Sequence, residues 1–221
     1  MKRTIRVSVF IALTLTAFAL CLGGCQSVYY GTMEKLGYQK REILVDRVED
    51  ARNAQEEAKD QFRSALEKFS AVVNFKGGDL EERYNKLDSE YQRCDSKAKA
   101  VHNRIADVED VSKALFDEWQ AELKQYTNQD LMRASERKLN DTRRRYQQLI
   151  QAMKRAEKKI DPVLSAFRDQ VLFLKHNLNA QAVASLQKEL STIEVDVATL
   201  IKDMEASIAE ADKFIKATMK E

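Results

Sequence analysis

A spacing constrains this chain more than any other feature. Apolar and small residues recur at alternating intervals of four and three, in four separate runs that cover most of the 221 residues. The first run is Leu44, Val48, Ala51, Gln55, Ala58, Phe62, Ala65, Phe69 and Val72. The second is Leu80, Tyr84, Leu87, Tyr91, Cys94, Ala98, Val101, Ile105, Val108, Ser112, Leu115 and Trp119. The third is Met132, Ser135, Leu139, Thr142, Tyr146, Leu149, Met153, Ala156, Ile160, Val163 and Phe167. The fourth is Val183, Leu186, Leu190, Ile193, Val197, Leu200, Met204, Ser207, Ala211 and Phe214. Such a repeat keeps one seam of an α-helix turned towards a partner and winds the helices into a left-handed supercoil. A strand would need period two. One proline and 6 glycines, with 33% charged residues, agree with long uninterrupted helices. The pattern predicts an all-α fold in which long antiparallel helical hairpins form a coiled-coil-type bundle of about four helices over residues 39–221.

The breaks between runs set the topology. Lys76-Gly77-Gly78-Asp79 ends the first helix, and Asp79 with Glu82 reads as an acidic capping box for the second. Tyr126 to Gln129 separates the second run from the third, with Thr127 or Asn128 as the cap. Pro162 stands inside the third run but leaves its phase intact, so the pattern predicts a kink, or a restart capped by Asp161. Between Phe167 and Val183 the phase slips by two, which predicts a turn near His176–Asn179. Short connections make successive helices antiparallel neighbours in an up-down-up-down bundle. A continuous helix through residues 176–179 is the alternative; it would need a second chain, so an oligomer is compatible with the pattern.

The first residues carry an address. Behind Lys2, Arg3 and Arg6 runs the apolar stretch Val7–Leu22, interrupted only by Ser8, Thr14 and Thr16. It is short beside the ~20 residues that a membrane-spanning helix requires. A basic start, a short apolar run and small residues before a cleavage site mark a secretory signal. Leu22-Gly23-Gly24-Cys25 resembles the lipobox of bacterial lipoproteins. That resemblance implies removal of residues 1–24, diacylglycerol on the Cys25 thiol and acylation of the new amine, with residues 25–38 as a lipidated N-terminus and short linker. Two or three fatty chains hold a protein on a bilayer far more firmly than one. Gln26, rather than aspartate, follows the cysteine, and the resemblance to Gram-negative lipoproteins then implies the periplasmic face of the outer membrane.

The chemistry expected of the mature chain is limited. Without Lys2, Arg3 and Arg6 it has 34 basic against 35 acidic side chains, so no overall charge favours nucleic acid. His102 and His176 lie far apart and lack metal-binding neighbours one helical turn away. Glu81-Glu82 and Glu109-Asp110 lack the Glu-x-x-His spacing of helical di-metal sites. Neither metal nor cofactor is expected, and no enzymatic role. Cys94, the one thiol left free, sits on a seam and reads as a buried inert side chain. One asymmetry stands out: residues 130–160 carry 10 basic against 4 acidic side chains. With Leu139 at heptad position a, Arg133, Arg137, Arg144, Lys154, Arg155 and Lys158 fall at b, c or f, facing outward, where they cannot pair with the acids flanking neighbouring seams. The stripe is either a solvated face or a binding surface for an anionic envelope polymer, peptidoglycan or lipopolysaccharide. The expected partners are therefore the lipid bilayer, through acylated Cys25, and a periplasmic protein or an envelope polymer. The expected role is that of a structural or interaction module.

Two passages carry a family resemblance. Met33–Glu49 (MEKLGYQKREILVDRVE) and Leu174–Ala182 (LKHNLNAQA) resemble domain of unknown function family 2959. The resemblance implies a Gram-negative coiled-coil protein, often with a lipoprotein signal. It implies no activity, cofactor or catalytic residue.

Overall fold

A computed structural model of the chain describes residues 40–74 and 80–220. The expected signal, the linker with Cys25, and the Gly77-Gly78 break with its Asp79 cap lie outside the described residues. Helix α1 is Lys40–Val73, α2 Leu80–Glu122, α3 Gln129–His176 and α4 Ala180–Met219, with a short 3-10 turn at Leu123–Gln125 between α2 and α3. No strand occurs among the described residues. The chain divides into a unit of residues 1–43 and a unit of residues 44–221, and the bundle described below is the second.

Interhelical contacts order the helices. Lys97 reaches Glu57 at 2.6 Å, and the Cys94 thiol donates to the Gln61 carbonyl at 3.6 Å, so α2 runs antiparallel to α1. Trp119 Nε1 donates to Ser135 Oγ at 2.8 Å and Lys154 reaches Glu109 at 2.7 Å, setting α3 antiparallel to α2. Lys159 meets Asp203 at 2.9 Å between α3 and α4, and Arg52 meets Asp212 at 2.9 Å between α1 and α4. The four helices therefore close into a ring of neighbours, each antiparallel to the next, as the short connections require.

The seams are where the heptads put them. Every residue of the first run is buried, and no member of the other three runs is exposed. Phe167 on α3 packs across the diagonal against α1, its ring centroid 6.4 Å from Phe62 and 6.3 Å from Phe69. Two seam positions are polar. Gln55 and Ser207 are fully buried, and neither the Gln55 amide nor the Ser207 hydroxyl has a hydrogen-bond partner among the described residues. The Arg52–Asp212 pair places them within about a turn of one another. An unsatisfied buried polar group costs ~1–3 kcal/mol, yet a polar residue in a seam disfavours slipped pairings.

The turns follow local chemistry. Asn128 caps α3, its side-chain oxygen accepting from the N–H of Asp130 at 2.9 Å and of Leu131 at 3.2 Å. The predicted turn between α3 and α4 is present without glycine or proline. Asn177 closes α3 instead, its backbone N–H donating to the Leu174 carbonyl at 3.1 Å and its side chain to the Phe173 carbonyl at 2.9 Å. Of the two outcomes expected at Pro162, the restart capped by Asp161 is corrected: α3 runs through the proline as one helix. Proline removes only the donor for the Lys158 carbonyl. Lys158 faces solvent, so water can supply the missing bond. Asp161, expected as a cap, instead points its carboxylate at His102 Nε2, 3.3 Å away.

Candidate functional site

Because Leu139, Leu149, Met153, Ala156 and Ile160 turn inward, the b, c and f positions of α3 turn outward. All six cations of the predicted stripe are exposed. They are not equally free. Arg144 is held by Asp141, one turn away, at 2.7 Å. Lys154 bridges to Glu109 of α2 at 2.7 Å and to Glu157 at 3.1 Å. Partial burial pulls the Lys154 ammonium down, but the two carboxylates outweigh it and raise its pKa above the ordinary lysine value. The expectation that none of the six could meet an acid of a neighbouring helix is therefore corrected for Lys154. Its stem spans the distance from position b to the flank of α2.

Arg133, Arg137, Arg155 and Lys158 have no ion pair among the described residues. The stripe thus resolves into two pairs of unneutralised cations whose midpoints lie ~30 Å apart along the helix. Asn140, Gln147 and Gln151, all exposed, occupy the face between them. Such a row can hold a long anionic surface through charge and hydrogen bonds.

One cluster was not foreseen. His102 Nδ1 lies 2.9 Å from Glu157 Oε1, and the ring's other nitrogen faces Asp161. With Lys154 and Glu109 these residues knit α2 to α3. His102, Glu109 and Glu157 all occupy e positions, and an antiparallel hairpin sets e against e, so the pairing was available once the topology was known. Among the described residues no group of three His, Cys, Asp or Glu side chains could hold a metal ion. A groove of about 220 Å³ between α3 and α4 is lined by Arg145, Gln148, Glu210, Lys213, Phe214 and Ala217. Glu210 and Lys213 already neutralise each other there at 2.6 Å.

Two further ionisable side chains, Cys94 and Glu90, are buried. Burial pushes the Cys94 thiol up to about 12, so the nucleophilic thiolate is scarce at neutral pH. Burial pushes the Glu90 carboxyl up as well, but hydrogen bonds from Arg93 and Gln61 and the charges of Arg93 and Lys68 outweigh this and hold it below the ordinary value. No described helix is long and apolar enough to cross a membrane.

A family model described as a protein of unknown function, DUF2959, matches residues 29–218. The chain belongs to that family. The match takes in all four helices of the bundle and the residues carrying the resemblance in both quoted passages, so bundle and family coincide. No curated protein matches the chain.

Proposed function

We propose that the protein is a non-enzymatic lipoprotein, anchored to the periplasmic face of the outer membrane by acylated Cys25, that acts as a structural or interaction module of the bacterial envelope. The outward face of α3 carries this reading. The interior is occupied by interlocked seams, whereas Arg133, Arg137, Arg155 and Lys158 stand exposed and unneutralised on one helix. Exposed charges of one sign contribute little to folding and repel one another, so their alignment favours a role outside the fold. The leading partner is a periplasmic protein.

The same four cations favour a second reading, in which α3 binds an anionic envelope polymer. Changing Arg155 and Lys158 together to Gln tests it, because both face solvent and neither supports the bundle. Melting should move by no more than ~0.5 kcal/mol equivalent, as for ordinary surface changes. Retention on purified peptidoglycan should fall at low salt, and high salt should reproduce the loss in the wild type, since the Debye length shortens to ~10 Å at 0.1 M. Equal retention of the two proteins at low salt would remove the polymer reading and leave the protein partner.

A further inference from the structure

Two of the four helices outrun the others. Arg104 lies 3.7 Å from Asp50 and Lys97 2.6 Å from Glu57, which sets α2 against α1; Lys159 and Asp203 set α3 against α4. Continued at ~1.5 Å per residue, these pairs put Leu44 level with Asp110 and Met219 level with Arg143. The end of α2, the 3-10 turn and the start of α3 therefore project ~20 Å past Leu44 and Met219 as a two-helix hairpin. The projection has a small core of its own, Phe116, Leu123 and Leu139, walled by Trp119, Met132 and Tyr146. The Arg143 guanidinium lies 5.3 Å over the Phe116 ring, at the base of the hairpin.

The end of this hairpin is amphipathic. Leu131 is 58% exposed and Tyr126 40% exposed, two of the exposed large apolar side chains among the described residues. Lys124, Arg133 and Arg137 are exposed within the last turns of this end and have no ion pair among the described residues, alongside three exposed acids, Glu122, Asp130 and Glu136. An exposed leucine and tyrosine at a helix-hairpin end, with long cationic side chains within two turns, can enter a bilayer interface, apolar groups at the acyl boundary and cations reaching phosphate.

Chain direction says which surface lies there. Helix α1 runs away from the projection, so the chain enters the bundle from the projecting end. Fourteen residues separate Cys25 from Lys40. Fully extended they span at most ~50 Å, more than twice the length of the projection. A bilayer holding Cys25 is therefore within reach of the hairpin end.

We propose that the α2–α3 hairpin end is a second membrane contact, seated on the phospholipid bilayer through Leu131 and Tyr126, with Lys124, Arg133 and Arg137 reaching lipid phosphate. The proposal rests on the lipid-anchor reading. It gives the bundle a direction: the α3–α4 turn, with exposed Leu172, Phe173 and Leu178, points away from the membrane.

The test uses the full lipidated protein, reconstituted in phosphatidylethanolamine–phosphatidylglycerol vesicles that contain a spin-labelled quencher lipid. A fluorophore is placed on Thr127→Cys at the hairpin end or on Leu178→Cys at the far turn. Buried Cys94 should leave the parent protein unlabelled. Flotation reports the anchor and quenching reports the contact, so the two ideas fail separately. The expected result is flotation of both proteins, with loss of emission at position 127 and none at 178. Adding Leu131→Asp, Arg133→Gln and Arg137→Gln should restore emission at 127 while flotation persists. Flotation without quenching at 127, or with quenching at 178 instead, would overturn the contact. Absence of flotation would overturn the anchor and the contact with it.

Discussion

Ile105→Asp should unfold the protein or bring it to the edge of unfolding. Ile105 is fully buried in the α2 seam. An aspartate there removes packing methyl groups and places a carboxylate where no cation or donor awaits it. Losses above ~4 kcal/mol come from a short list of causes, and an unpaired buried charge is among them. Against a typical total of ~5–15 kcal/mol, such a loss leaves little margin. Arg144→Asp, on the outward face, gives up one ion pair to Asp141 at 2.7 Å and should cost no more than ~1 kcal/mol. Thermal melting by circular dichroism separates the two variants. Similar melting temperatures would mean that the seam register is wrong.

Phe167→Ala should be nearly as damaging, for a different reason. Its ring lies between Phe62 and Phe69 on the diagonal helix, so truncation leaves a void between α1 and α3 that neither backbone can close. Large-to-alanine changes of this kind cost ~3–5 kcal/mol, the spread reflecting how far the site collapses. Phe167→Leu, which refills most of the space, should recover more than half of the loss in a urea titration. Equal costs for the two variants would show that the aromatic cluster does not bind α1 to α3.

What was legible in the chain was what depends on local period. The seams from Leu44 to Phe214 could be written down because a heptad needs no knowledge of its partner. The turn at His176–Asn179 showed itself as a slip of phase, though asparagine side chains rather than glycine close it. Pro162 argued for a restart as well as a kink, because proline lacks the donor a helix interior uses; the restart does not occur, and the proline sits on the exposed side of α3. Lys154 misled by its length. Position b points outward, but a lysine stem is long enough to reach Glu109 on the flank of α2. For the His102–Glu157–Asp161 contacts the antiparallel topology sets e positions face to face, but which acids meet His102 depends on the level of α2 against α3 to within a turn. The overhang of the α2–α3 hairpin was available in principle. The second run ends at Trp119 and the third begins at Met132, so their paired length exceeds that of the first and fourth.

Function resisted for a physical reason. A bundle whose seams are filled by its own side chains leaves only outward faces and chain ends for other work, and those positions carry weak pattern. Arg133, Arg137, Arg155 and Lys158 emerge as a group only after Arg144 and Lys154 are seen to be engaged. Identical residue types serve the fold in one case and solvent in the other.

Attachment through Cys25 is the claim on which the membrane role, the outward-facing partner and the orientation of the bundle all depend. The intact mass of protein extracted from the membranes of producing cells tests it most directly. The account predicts a polypeptide beginning at Cys25, heavier than its amino acids by a diacylglyceryl group and an amide-linked acyl chain, with both increments lost in Cys25→Ser. A wild-type protein with the mass of the bare polypeptide, or one still carrying residues 1–24, would contradict it.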